Sequence, residues 1–323
     1  RRTGSPPSHL RGDRGGRTGT GRLVREAIRG YAAAVFETAE RAESLEIVRA
    51  DLVGMMRAVN SFDDLRVVLT DAVIAPATRR AIVIDLLEAK AERVSVSLVG
   101  FVVATERAAE IPSSLAELVE LCEAEIDRVR TGSAIEPEPA AGRGQILERI
   151  RGYAERVLQE LDSRSDIDII EDELFKIARV FEQSRELREA LGDANLTYTG
   201  RAAVIDDLFG RSCQDATLRL VRYVIRAGRL RDLVGAVDWL VELAAEERGR
   251  RIADVRSAVP LGDDERSRVG AALSRLTDRN VEVRGIIDPS VIGGIRVNVG
   301  DLIIDGTVRL RVERLRDLLA KAS

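Results

Sequence analysis

Val24, Ile28, Tyr31 and Val35 fall three and four residues apart, and so do Leu45, Val48, Leu52, Met55 and Val59. That spacing follows the 3.6-residue period and predicts two amphipathic helices. A shorter apolar segment with Phe62, Leu65 and Leu69 leads to a break at Pro76, and helices resume over 77–90 and 94–109. The last helix follows Pro112, where Ser114 and Glu117 have the S-x-x-E spacing of a capping box ahead of Leu118, Leu121 and Cys122. Five or six helices with short connections predict a compact bundle.

The pattern then comes back. Ile28-Arg29-Gly30-Tyr31-Ala32 recurs, residue for residue, as Ile150-Arg151-Gly152-Tyr153-Ala154. The same offset of 122 carries Leu52 onto Leu174, Leu65-Arg66 onto Leu187-Arg188, Leu69 onto Leu191, and Asp71-Ala72 onto Asp193-Ala194. It carries Arg79 onto Arg201, Asp85-Leu86 onto Asp207-Leu208, and Leu118 and Leu121 onto Leu240 and Leu243. A fixed internal period defines the building block, and one of about a hundred residues is a small domain. The repeats are expected over 22–130 and 145–250. Between them the segment 131–144 holds Pro137 and Pro139 with three glycines, which predicts a linker.

Beyond Arg251 the period changes. Ile252–Val259 and Val281–Ile287 are β-branched runs that read as strands, separated by a helix over 263–276 with acidic residues at its start. Asp288-Pro289-Ser290 is a turn. Ile295, Val297 and Val299 alternate with Arg296 and Asn298, which predicts a half-buried strand. Gly300-Asp301 turns the chain into Leu302-Ile303-Ile304. A last helix from Thr307 carries Val308, Val312, Leu315 and Leu319. The expected architecture is mostly α: two tandem five- or six-helix bundles, then a small β-α-β-β-α module over 251–323.

Charge changes the picture at one end only. Residues 1–21 carry five Arg and one Asp, so +4 against a chain total of −4; with almost no apolar residues they are expected to form a disordered basic arm. Aromatic residues make up 3% of the chain, too few for base-stacking nucleic-acid platforms. The longest apolar stretch, Leu98–Ala104, falls far short of a membrane span, and the sequence reads as soluble and cytosolic. The two cysteines occupy non-equivalent repeat positions and provide no disulfide framework; Cys122 has helical spacing from Leu115 and Leu118 and reads as a core thiol.

The residue types for chemistry are missing. No G-x-x-x-x-G-K-[ST] motif occurs, and Lys90, Lys176 and Lys321 are the chain's three lysines. The single histidine, His9, lies in the arm, so no Ser-His-Asp triad or His-based zinc site is available. Gly15-Gly16 and Gly19-x-Gly21 follow no strand and fail the dinucleotide context. Glu171-Asp172-Glu173 reads as a solvated helix face. Gly293-Gly294, ahead of a strand, implies either a bulge or an edge on which another chain lies. Neither a catalytic site nor a metal or cofactor site is expected.

One family resemblance rests on the C-terminal run. Ile286-Ile-Asp-Pro-Ser-Val-Ile-Gly-Gly-Ile-Arg-Val-Asn-Val-Gly-Asp-Leu-Ile-Ile-Asp305, with the leucine-bearing segment that follows, resembles the signature of the delta subunit of F-type ATP synthase. That subunit is the bacterial counterpart of the oligomycin-sensitivity-conferring protein. Gly30-Tyr31-Ala32-Ala33-Ala34-Val35-Phe36 is similar to the family's Tyr-Ala-x-Ala-Leu-Phe helix start, and Val255-Arg256-Ser257-Ala258 to its Val-x-Thr-Ala. The family usually has one helical domain where this chain has two. Duplication of this kind resembles actinobacterial relatives in which delta is fused behind a b-type stalk segment with a membrane helix. No such segment lies within residues 1–323.

The resemblance implies a non-catalytic stator subunit, peripheral to the cytoplasmic face of the membrane. Its partners would be the N-terminal helices of the ATP synthase alpha subunit and the C-terminus of a b-type stalk, with no nucleic acid. It implies alpha-subunit docking at Tyr31, Ala34 and Val35, or at Tyr153 and Val157 in the second repeat. The stalk-module signature falls on Ile292, Gly293, Gly294, Ile295 and Asp305. The alternative for Ala34 is plain packing inside the bundle. The alternative for the whole chain is a helical adaptor unconnected with ATP synthase.

Overall fold

The computed structural model describes residues 15–139, 141–161, 163–193, 195–228, 232–250, 252–277, 281–289, 291, 293–299 and 302–306. The basic arm (in its residues 1–14) and the helix expected from Thr307 lie outside them. The chain divides into two compact units. One holds residues up to Ser133 together with Pro139–Tyr153, and the other holds Ala134–Glu138 with Ala154 onward.

The first repeat forms α1 (Gly15–Arg41), α2 (Leu45–Ser61), α3 (Asp63–Thr70), α4 (Pro76–Leu87), α5 (Arg93–Thr105) and α6 (Ile111–Thr131), with a 3-10 turn at Ala108–Glu110. Every residue of the two apolar stripes except Val24 is buried, and Val24 packs against the same core. α1 begins inside the stretch expected as a free arm. Extending a helix already anchored by packing costs far less than nucleating one.

The ends follow local chemistry. Pro76 sits in the first turn of α4, where its missing N–H costs nothing. α6 stops at Gly132, whose φ of 64° lets its N–H reach Val129 and that of Ser133 reach Arg128. The capping box expected at Ser114 and Glu117 does not form. The helix starts three residues earlier, at Ile111, so Ser114 lies inside it and hydrogen-bonds Glu106 at 3.0 Å, while Glu117 accepts from Arg29 at 2.6 Å.

The second repeat repeats the order: α7 (Arg143–Gln159), α8 (Arg164–Gln183), α9 (Arg185–Gly192), α10 (Tyr198–Phe209), α11 (Asp215–Arg226) and α12 (Leu233–Arg250). A capping box forms here, on α8: Ser163 accepts from the Asp166 N–H, and the Asp166 carboxylate accepts from that of Ser163. Ser184 and Thr197 cap α9 and α10 through their hydroxyls. The boundary between the two units falls within α7, after Tyr153.

The C-terminal module runs β1 (Ile252–Ser257), α13 (Asp263–Thr277), β2 (Glu282–Ile287), β3 (Ile295–Val299) and β4 (Leu302–Asp305), in sheet order β2-β1-β3-β4. The helical crossover makes β1 and β2 parallel, with Val255 opposite Gly285, whereas β3 runs antiparallel to both β1 and β4. Ala253, Val255, Val297 and Val299 alternate inward onto Leu273 of α13. Leu302–Asp305 adds a fourth strand to the described module.

Candidate functional site

Two kinds of polar contact explain residues that the repeat carries unchanged or nearly so. Arg79 is buried and donates to the carbonyl of Leu69 at 3.1 Å; its counterpart Arg201 donates to Leu191 at 2.8 Å and to Asp193 at 2.7 Å. Each guanidinium thus satisfies carbonyls at the end of a short helix that would otherwise be orphaned. Asp51 accepts from the Glu92 N–H at 2.9 Å, and Glu173, at the same repeat position, accepts from the Gln214 N–H at 2.9 Å. These carboxylates cap α5 and α11 from a neighbouring helix, where the macrodipole favours an anion. The acidic triplet Glu171-Asp172-Glu173 therefore includes a structural cap, a role that sequence alone did not reveal.

The first unit also contains a helix crossing that no apolar period announces. Gly30 of α1 lies against the backbone of α7: a Cβ there would stand 1.8 Å from the Arg149 carbonyl oxygen. Gly152 of α7 lies reciprocally against α1, where a Cβ would stand 1.9 Å from the Ala27 carbonyl oxygen. The contacts Gly30–Arg149 and Gly152–Ala27 exchange under the repeat offset, so the helix pair has a local two-fold arrangement. Two polar contacts join the pair, and the first of them has no counterpart under the offset, which would bring Ala27 to Glu148. Arg149, 1% exposed, pairs with Glu26, 8% exposed, at 2.5 Å and also donates to the Pro139 carbonyl at 3.2 Å. The Tyr153 hydroxyl donates to Glu37.

The expected docking residues do not lie at the surface. Tyr31, Ala34, Val35, Tyr153 and Val157 are all buried, none more than 2% exposed. The Tyr31 ring stacks on Phe101 at 4.0 Å, and its hydroxyl bonds to Ser97 at 2.6 Å. Ala34 follows Gly30 by four residues and precedes Glu37 by three, so it shares the face that α7 touches at both places. The small residues of α1 thus receive a helix, and within the first unit that helix is the start of α7. No open groove lies over Ala34.

The module signature is partly described. Gly294 has φ 80°, a left-handed turn that a side chain would strain, and delivers the chain into β3 at Ile295. β3 pairs with β1 on one side and β4 on the other in continuous register. Neither expectation for Gly293-Gly294 is met, because the strand has no bulge and is not an edge. Asp305 ends β4 opposite Arg296, and Ile292 lies outside the described residues.

Among the described residues no group of His, Cys, Asp and Glu is placed to hold a metal ion, and no helix is long and apolar enough to cross a membrane. Burial pushes the Cys122 thiol up to about 12. It also raises that of Cys213, whose bond to Ser212 opposes the shift.

Comparison with known proteins adds a family. The model of the ATP synthase delta (OSCP) subunit matches residues 28–132 and again residues 150–319. The two matches start 122 residues apart, at the paired residues Ile28 and Ile150. The ATP synthase subunit delta of Salinispora arenicola is 38% identical over 56% of this chain and 68% of its own length. That of Streptomyces griseus is 41% identical over 46% of this chain and 55% of its own. That of Streptomyces coelicolor is 38% identical over 52% and 60% respectively. The chain therefore spans between about half and two thirds of these relatives.

Proposed function

The chain belongs to the ATP synthase delta (OSCP) subunit family, and on that premise we propose that it is a non-catalytic peripheral-stalk subunit of a proton-translocating F-type ATP synthase. One observation carries this reading: the second family match runs from residue 150 to 319, through a whole helical bundle and on into the α/β module. A bundle joined to that module is a two-ended adaptor. In this reading the helical part holds the N-terminal helices of alpha subunits, and the C-terminal module holds the end of a b-type stalk. The assembly sits peripherally on the cytoplasmic face of the membrane.

The physics of a stator suits such a chain. It must resist torque without turning over substrate, so it needs stable docking at two places. Two attachments on one chain raise the effective concentration of each for the other. Helical bundles meet the first need by accepting an amphipathic helix between their own helices. Alpha contact at Tyr31, Ala34, Val35, Tyr153 and Val157 carries a condition in this reading. For Ala34, the α1–α7 crossing has to open before a partner helix reaches the side chain.

The test is coupling. Membranes depleted of this chain are expected to lose ATP-driven proton pumping while their catalytic heads go on hydrolysing ATP, and adding the purified chain back restores pumping. Depleted membranes that pump normally, or ATP hydrolysis that follows the purified chain through separation steps, would overturn the proposal.

A further inference from the structure

Within the first unit the start of α7 lies along α1, and the two helices run in the same direction. A Cβ at Gly144 would stand 3.7 Å from the Leu23 side chain, Gly152 meets the backbone of Ala27, and Tyr153 bonds to Glu37. The covered side of α1 thus runs from Leu23 to Glu37. The core of the first repeat does not need this cover. Its apolar members fall between Val24 and Ile126, and among the described residues α7 adds none to them. Ile28, Tyr31 and Val35 turn into that core, whereas Glu26 and Ala34 are buried without belonging to it. α1 therefore has two closed sides, one sealed by its own repeat and one by α7.

The second closure is built to be reversible. At Gly30 and Gly152 the helices touch through backbone, with no side chain interlocked between them, and the peptide groups there already bond within their own helices. The specific hold is polar: Arg149 on Glu26 at 2.5 Å and on the Pro139 carbonyl at 3.2 Å, and the Tyr153 hydroxyl on Glu37. Groups of this kind exchange a protein partner for water when they separate. Glu37 also accepts from Arg41 at 2.8 Å, so it keeps a partner when Tyr153 leaves.

We propose that residues 143–153 of α7 form an autoinhibitory plug on α1, which withholds the face of Glu26, Gly30 and Ala34 and gives it up only by exchange. The plug has two parts three residues apart. Gly152 admits the Ala27 backbone, and Arg149 reaches Glu26. Its pentapeptide, Ile150 to Ala154, is that of the helix it covers, preceded by Arg149 where α1 has Ala27. The repeat thus supplies a helix that fits α1, and the arginine adds a latch that α1 itself lacks. While the plug is seated, a competitor sees only the open fraction of the chain, and its apparent affinity falls by that fraction. That the competitor in the assembly is an alpha-subunit helix rests on the stalk reading. The plug itself does not, because every contact that holds it lies within this chain.

The full-length chain is titrated with a labelled peptide of its own residues 143–159, following fluorescence anisotropy. In the parent chain this peptide competes with the tethered α7. Gly152→Ala drives the chain's own α7 off the Ala27 backbone but leaves α1 intact, so the peptide is expected to bind about tenfold more tightly or better. Gly30→Ala spoils the receiving side of the same crossing and is expected to abolish capture. Both variants lose the crossing, so general loosening of the fold would move them together. Arg149→Met, which leaves Glu26 to the arginine of the peptide, gives the first reading again should Gly152→Ala not fold. A peptide that itself carries Gly152→Ala is expected to bind at least about tenfold more weakly than the parent peptide. Equal capture by the Gly152→Ala and Gly30→Ala chains would overturn the plug. So would equal binding of the two peptides, or no gain over the parent chain in both Gly152→Ala and Arg149→Met. Loss of peptide capture leaves the coupling test of the stalk reading unaffected, and failure of that test leaves peptide capture unaffected.

Discussion

Gly30 meets the backbone of Arg149 so closely that a methyl group on it would stand 1.8 Å from the Arg149 carbonyl oxygen. Residue 30 therefore has to be glycine for a reason of packing, although glycine is the poorer helix former. Replacing it by alanine in open helix would gain roughly 1 kcal/mol. Here the two helices must move apart, and overpacking of this kind costs about 1–3 kcal/mol or more. Gly30→Ala is expected to lower the urea midpoint of the full chain. Gly54→Ala, with nothing within 4 Å, is expected to raise it by about 0.5–1 kcal/mol of stability. Shifts of the same sign in the two variants would refute the assigned crossing.

The same pair of positions shows what the sequence made legible. Gly30 and Gly152 stand out as identical residues inside the repeat, and the period of Val24, Ile28, Tyr31 and Val35 shows which side of α1 enters the repeat's own core. Periodicity speaks of one helix against one core. It is silent on a second helix arriving from 122 residues away, so Ala34 looked free when α7 in fact lies on its face. Arg79 with Leu69 is the converse case. Both were visible as repeated, yet a one-dimensional pattern does not reveal that a guanidinium reaches a carbonyl ten residues upstream. Gly293 and Gly294 were flagged as special, but strand order decides whether a glycine pair bulges, edges or turns, and order is not written in local sequence.

The Glu26–Arg149 pair is the asymmetric element of the crossing, since the offset places Ala27 and Glu148 where a second pair would need opposite charges. Both side chains are almost wholly buried, 8% and 1% exposed. Removing one partner of a buried pair leaves the other charge stranded, at a cost of about 3–5 kcal/mol. Arg149→Met and Glu26→Leu are each expected to lose stability in that range by denaturant unfolding. The double replacement is expected to recover most of the loss, because neither charge then stays behind. Additive losses in the double variant would show that the side chains do not face each other.

Cys122 supplies a pH dependence with a definite sign. Its neutral thiol is favoured by burial, so its pKa in the fold, about 12, lies above the ordinary value of 9.0. Below pH 9 both folded and unfolded chains keep the proton, and the group contributes no slope. Above pH 9 the unfolded chain gives it up first, and stability is lost by up to about 1.4 kcal/mol per pH unit until the folded thiol also ionises. Unfolding free energies measured between pH 8 and 11 are expected to fall less steeply in Cys122→Ala than in the parent chain. At pH 8, 5,5′-dithiobis(2-nitrobenzoate) is expected to label Cys213 well before Cys122, which is fully buried. Parallel pH slopes in parent and variant would contradict the burial of this thiol.

Arg79 and Arg201 test whether the repeats share a mechanism of stability as well as a sequence. Both guanidinium groups donate to carbonyls ten residues upstream, Leu69 and Leu191, and Arg201 adds the carbonyl of Asp193. A methionine in either place fills similar volume but offers no donor. A buried carbonyl left without its partner costs about 1–3 kcal/mol. Arg79→Met is expected to fall in that range, and Arg201→Met to cost more because two carbonyls lose their donor. Lysine keeps the charge but lacks the planar fork, so Arg201→Lys is expected to recover only part of the loss. The measurement is denaturant unfolding of each full-length variant. A change below about 0.5 kcal/mol, the size seen at exposed sites, would mean that the paired arginines are ordinary surface charges and that the repeat retains them for another reason.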